Sequence, residues 1–176
     1  GSDLLRSFKH VYDKHPSFYE ACLNDPTQIV FVIMAVRATD PRWRKPLGLV
    51  RLFNIHLIEG YAFLETMLTD VRAQRRGFGV EASKLICAYG LDVLSLRRIE
   101  AKVYEYNLLS INSLRRHGFH QEGILRQAGY HAGQHFDVLV FGILREELEE
   151  QRRREPNPEY LRFPFLGAEG GLGDSP

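Results

Sequence analysis

Met67-Leu68-Thr69-Asp70-Val71-Arg72-Ala73-Gln74-Arg75-Arg76-Gly77-Phe78-Gly79-Val80, with the run that follows it to Asp92, is the stretch that decides the fold. Met67 to Thr69 read as the end of a strand, and Asp70 to Ala73 as a turn. From Val80 onward, Ala82, Leu85, Ile86, Tyr89 and Val93 recur at the spacing of a helix with one buried face. A glycine-punctuated turn feeding a helix leaves backbone N–H groups pointing outward, and the helix dipole adds partial positive charge there. Arg75 and Arg76 supply full charges. Such a turn suits a phosphate. G-x-G alone is equally explained as a tight strand-to-helix connection.

Working outward, Ile29 to Ala38 is an apolar, β-branched run expected of a covered strand. Asp40 to Pro46, with two prolines and three basic residues, reads as a loop. Leu47–Leu57 and Tyr61–Leu68 form a hairpin turned at Glu59-Gly60. Beyond the central helix come a strand at Ile99–Tyr104, a helix from Asn107 to His117 and an extended stretch Phe119–Arg126. A strong strand follows at His135–Leu144. Upstream, Leu4, Leu5, Phe8, Val11 and Tyr12 form a helical stripe, and Ser17 to Glu20 reads as a capping box opening a second short helix. Hairpins followed by strand–helix–strand–helix–strand imply an α/β (α+β) layer structure with a mixed sheet. The expected division is one domain over 1–146 and a tail over 147–176. The tail is charged at first and then rich in Pro and Gly. It reads mainly as a solvated extension, although Tyr160 to Leu166 is apolar enough for a docking arm.

Composition bounds the function classes. With 176 residues, 44% hydrophobic and 26% charged, the chain has ordinary globular composition and length for a proper core. A net charge of +1 argues against coating nucleic acid. No apolar run approaches the ~20 residues of a membrane helix, and no signal peptide is visible. Cys22 and Cys87 have no metal or redox spacing and read as buried thiols in a reducing compartment. The expectation is a soluble cytoplasmic protein without nucleic-acid or membrane partners; Gly1-Ser2 looks like an expression-tag scar.

The longer pattern, Q-x-x-G-x-G between strand and helix, resembles the pyrophosphate loop of the GNAT acyl-CoA-dependent N-acetyltransferases. Gly77-Phe78-Gly79-Val80-Glu81-Ala82 resembles the form found in the branch of ribosomal-protein alanine and serine N-acetyltransferases. Arg98 to Ala101, Asn107 with Ser110, Gly118-Phe119, Glu122-Gly123, Leu125-Arg126 and Gly133 to Val138 follow that branch's order, so the resemblance covers roughly residues 28–146. It implies a GNAT-like, mostly antiparallel sheet flanked by helices, with splayed central strands. The family usually opens with a strand before its first helices; here that strand is expected to be missing, by truncation or replacement.

The resemblance also implies acetyl-CoA as cofactor, and acetyl transfer to a primary amine by direct attack in a ternary complex. The acceptor would be a small molecule or a protein N-terminus, and a homodimer is left open. Gln74, Arg75, Arg76, Gly77, Phe78, Gly79 and Val80 would hold the pyrophosphate. In the family the preceding strand carries a bulge and parts from its neighbour; mapped without gaps, the backbones of Met67, Leu68 and Thr69 would bind the pantetheine amides and provide an oxyanion donor. Asn107 would bond the pantetheine arm, though helix capping alone also explains it. Many relatives place a tyrosine acid where this chain has Leu114, so Ser110 becomes the substitute proton donor to the thiolate, or a plain helix residue. Glu65, on one strand face with Tyr61, Phe63 and Met67, is the candidate base. A carboxylate partly desolvated there would draw a proton from the amine, directly or through water. An exposed strand glutamate is the duller option, and Glu100 and His56 are reserves. Two His pairs, His117/His120 and His131/His135, lack a third ligand at an established spacing, so no metal is expected. The rival readings are a non-catalytic acyl-CoA-binding module and a partner-binding domain on the same fold.

Overall fold

The structure is a computed structural model that describes residues 20, 24–37, 39–69, 76–157 and 161–163. Its elements run β1 (Ile29–Arg37), β2 (Asp40–His56), β3 (Tyr61–Leu68), α1 (Phe78–Asp92), β4 (Arg98–Tyr104), α2 (Leu108–Arg116), β5 (His120–His131), β6 (Gln134–Leu144) and α3 (Arg145–Arg154). The two helices and the opening strand considered upstream of Asn24 lie outside the described residues, apart from Glu20. So do Cys22 and the turn Asp70–Arg75.

Six strands form one sheet in the order β1-β2-β3-β4-β6-β5. Every neighbouring pair is antiparallel except β3 and β4, which run parallel. That exception follows from the connection: a helix crossing over the sheet returns the chain parallel to the strand it left. The mixed sheet flanked by helices is the architecture expected from the sequence. The core lies between the sheet and the helices, where Leu52, Ala62, Leu64, Ile99, Phe141 and Ile143 meet Ala82, Ile86, Cys87 and Leu91 of α1. Burial pushes the Cys87 thiol far above its ordinary range, so it stays protonated.

Three local expectations change. Asp40 to Pro46 is strand, the first half of β2. This half pairs with β1 alone, because β2 meets β3 only from Gly48 onward, so the missing N–H of a proline can face an unpaired side. Pro46 also adjoins the register shift between Ile33 and Met34. The face of α1 turned to the core contains Ser83, Cys87, Ala88 and Leu91, while Leu85 and Tyr89 are only half-buried. The boundary expected at residue 146 falls inside α3. Leu148 of that helix is part of the core, Arg152 pairs with Asp92 and Lys84 with Glu155. Beyond it, Leu161 is buried, the Phe163 N–H donates to Asp92 Oδ2 at 2.9 Å, and the Phe163 ring meets Tyr89 edge-on. This part of the tail therefore docks on the back of α1. Among the described residues no helix is long and apolar enough to cross a membrane.

Candidate active site

The β3–β4 pairing lasts only three residues, Tyr61 to Phe63 against Arg98 to Glu100. Beyond it β3 stays with β2 and β4 stays with β6, so the two strands part and open a slot through the sheet. The resulting cleft, about 740 Å³, is lined on the helix side by residues of α1 and α2 and on the opposite face by Glu65, Met67, Lys102 and Tyr104.

Strand alternation decides which backbone groups face the slot. Thr69 donates its N–H to Leu47 O at 2.9 Å, and the β2–β3 register continues without a shift from Gly48 against Leu68 to Phe53 against Phe63. Because N–H and C=O groups alternate in direction along a strand, Met67 and Glu65 also turn their backbones to β2. Leu68 and Thr66 turn theirs to the slot. The same argument on β4, anchored by the Glu105 N–H to Asp137 O bond, turns Lys102 and Tyr104 towards it. This corrects two of the expected backbone donors. Thr69 is committed to Leu47 by both N–H and hydroxyl, and Met67 reaches the cleft by its side chain. Thr66 is a slot residue that sequence reading missed. The expected bulge in β3 is absent from its pairing with β2; the irregularity lies further along β2, between Phe53 and His56.

At the helix end of the slot, Gly77 caps α1 with φ of 85° and no side-chain cap bond. A side chain there would enter open space but would impose a left-handed backbone that L residues resist. The intrahelical bonds of α1 begin with the Glu81 N–H to Gly77 O, so the N–H groups of Phe78, Gly79 and Val80 have no intrahelical acceptor at the positive end of the dipole. A Cβ on Gly79 would lie 3.4 Å from Leu68 Cδ1 and 3.7 Å from Thr66 Cγ2, so the helix start sits close on β3. Arg76 is exposed and its guanidinium lies 5.7 Å from the Phe78 ring centre. Gln74 and Arg75 fall outside the described residues.

Asn107, Ser110 and Leu114 share one face of α2, and all three line the cleft. Asn107 Oδ1 accepts the Ser110 N–H at 3.1 Å, so it caps the helix while its amide nitrogen remains for another partner. Ser83 Oγ donates to Gly79 O and meets Thr66 Oγ1 at 2.8 Å, but Ser110 Oγ makes no hydrogen bond among the described residues. A half-buried hydroxyl in a cleft wall with no internal partner is suited to a ligand.

Glu65 lines the cleft from the opposite face, but not as an isolated, desolvated carboxylate. It is the cross-strand partner of Arg51, whose Nε and Nη2 both lie 2.5 Å from Glu65 Oε2. Arg51 is buried and also donates to Gln28 at 3.2 Å. Both reserves are engaged elsewhere: Glu100 accepts from Arg98, and His56 stacks on Tyr61 at 4.5 Å. Of the paired histidines, His120 contacts Glu147, His131 meets Tyr106 and His135 meets Tyr130. Among the described residues no group of three potential metal ligands is brought together.

His117 is the other residue that sequence reading placed poorly. It closes α2, lies in the cleft wall, and is buried with neither ring nitrogen hydrogen-bonded among the described residues. Burial first, and the nearby Lys84 charge second, push its pKa down from 6.5 to about 4. Above pH 6.5 the ring is neutral folded or unfolded. As pH falls below 6.5 the unfolded chain gains a proton that the folded one refuses, so stability drops until about pH 4. The loss is on the order of 3 kcal/mol. Chemical denaturation of His117→Leu should show a flatter stability profile over that window; a slope equal to wild type would show that other groups govern the acid limb.

Residues 7–120 match the family described as Acetyltransferase (GNAT) domain. The chain belongs to the GNAT acetyltransferases. It is 40% identical over 72 residues to the uncharacterized N-acetyltransferase p20 of Bacillus licheniformis, covering 41% of this chain and 40% of the relative. To the probable N-acetyltransferase YjcK of Bacillus subtilis it is 37% identical over 107 residues, covering 59% and 58%. The chain thus spans 40% and 58% of the length of these two curated relatives, less than two thirds of either. A solved spermidine N-acetyltransferase from Vibrio cholerae, in complex with CoA and spermine, has the same fold. The TM-score is 0.64 at 23% identity, over 81% of this chain and 76% of that one. The finer placement in the ribosomal-protein branch does not emerge from these matches. GNAT acetyltransferases use acetyl-CoA, and the site fits it: an open helix N-terminus for the diphosphate, a slot with strand-edge groups for the amides, and a hydroxyl without a partner.

Proposed function

We propose that the protein is an acetyl-CoA-dependent N-acetyltransferase that moves the acetyl group directly to a primary amine in a ternary complex. The observation that carries this reading is the slot, which joins the helix N-terminus on one face of the sheet to Glu65 on the other. When bound, acetyl-CoA supplies an activated acetyl thioester. The N–H groups of Phe78, Gly79 and Val80 receive the diphosphate, with Arg76 beside them; the same role is proposed for Gln74 and Arg75 from their place in the motif alone. The slot-facing backbones of Thr66, Lys102 and Tyr104 pair with the amides of the arm, as a short extra strand would. The slot-facing N–H of Thr66 is the oxyanion donor. As the C–N bond forms and the C–S bond breaks, the amine loses one proton through Glu65 to solvent. The departing sulfur gains one through Ser110 Oγ, which is reprotonated by solvent. Arg51 fixes the Glu65 carboxylate in place and compensates its charge.

Thiol release from acetyl-CoA in the presence of an amine panel tests the activity. Binding of acetyl-CoA without amine-dependent thiol release would favour the acyl-CoA-binding module instead. Within the active enzyme, Ser110→Ala should lower kcat by roughly ten- to a hundredfold with little change in KM for acetyl-CoA, at the weak end of general-acid effects. A variant within twofold of wild type would leave Ser110 as part of the cleft wall only.

A further inference from the structure

The acceptor side of the slot carries charges that do not satisfy one another. Extending the parallel register from Phe63 against Glu100 would set Glu65 opposite Lys102 and Met67 opposite Tyr104. Because the strands have parted, Glu65 instead turns to Arg51 on its other side. Lys102 is exposed, and its ammonium lies 5.0 Å from the Phe63 ring centre. It has no carboxylate partner among the described residues. The other carboxylates of this face are already occupied. Glu100 and Glu122 hold Arg98, Glu105 accepts the Asp137 N–H, and Asp137 accepts the Gln127 N–H. Tyr104 forms the outer wall, its ring lying flat where a side chain on Gly129 would collide with it. It stacks on Tyr106 at 5.4 Å. One lip of the slot therefore offers a carboxylate oxygen, the other offers an unpaired ammonium, and the wall between them is aromatic and apolar.

The geometry points to an acceptor that is itself a zwitterion: a primary amine carrying a carboxylate, with its ammonium at Glu65 and its carboxylate on Lys102. This assignment rests on the acetyltransferase reading and names its substrate class. A polycation is the opposite case. It would place a second positive charge against Lys102, where Glu100 and Glu122 are already ion-paired with Arg98 and only Glu105 and Asp137, each bonded to a backbone N–H, remain without a cation among these carboxylates.

Matched acceptor pairs test the assignment: L-methionine and L-phenylalanine against their carboxamides, with spermidine as the polycation, read as thiol release at neutral pH. The amide's amine is the less basic of each pair, so a preference for the acid cannot arise from a larger share of free amine. Wild type should favour each acid over its amide by at least tenfold in kcat/KM, and should use spermidine at least tenfold less well. Lys102→Ala should erase the preference, mainly through KM, and Lys102→Glu should invert it towards spermidine. Equal rates for acid and amide, a preference that survives Lys102→Ala, or spermidine as the best acceptor would each overturn the assignment. So would an enzyme that binds acetyl-CoA yet acetylates neither acid. Melting with acetyl-CoA alone separates the two failures, because absence of cofactor binding would overturn the acetyltransferase reading itself.

Discussion

Acetyl-CoA should raise the melting temperature of the wild-type chain, and Gly77→Glu should abolish that rise. A ligand at a hundredfold excess over its dissociation constant stabilises the folded state by about 2.7 kcal/mol, which for a domain of this size is roughly 5 to 10 °C. Gly77 caps α1 in a left-handed conformation with open space before it. Glutamate there adds backbone strain of about 1–2 kcal/mol and sets a negative charge where the diphosphate would lie. Gly77→Asn separates the two effects, because asparagine tolerates the left-handed region and carries no charge. That variant should keep most of the shift. A full shift in Gly77→Glu would move the diphosphate away from this helix end.

Glu65→Gln should lower kcat/KM by about a hundredfold near neutral pH, the low end of general-base effects. The deficit should shrink as pH rises towards the acceptor amine's own pKa, where free amine is already abundant. The substitution has a second consequence visible only in the structure. It removes the carboxylate bonded to buried Arg51, and breaking a buried ion pair costs up to about 3–5 kcal/mol. Melting curves must therefore confirm that the variant is folded at the assay temperature. A global loss of folded protein lowers the rate by the same factor at every pH. Loss of a base does not. A profile parallel to wild type would assign amine deprotonation to solvent and leave Glu65 as Arg51's partner.

The parts of this site legible in the sequence are those whose demands are local. Gly77 was readable because a helix start with a left-handed cap leaves its mark in residue type. The Asn107, Ser110, Leu114 face was readable because helical spacing alone puts the three together. The pairing of Glu65 with Arg51 needed the register of β2 against β3, which hydrophobic alternation does not encode. The choice between Met67 and Thr66 as a slot backbone needed one further fact, the Thr69 hydrogen bond to Leu47. The strand character of Asp40 to Pro46 was hidden by its prolines, which are acceptable only because that half of β2 has a neighbour on one side. His117 read as a member of a histidine pair until packing against α1 and α3 buried it.

The three-residue seam between β3 and β4 divides the sheet into two halves, β1-β2-β3 and β4-β6-β5, each knit by long antiparallel ladders. Such halves are expected to behave as separate cooperative units, with a scissoring about Tyr61 to Phe63 as the expected breathing motion of the sheet. An arm hydrogen-bonded to both parted edges would close that scissor. Occupying the slot would then lock the sheet as one body, and the flexibility of the empty protein would be concentrated where the substrates enter.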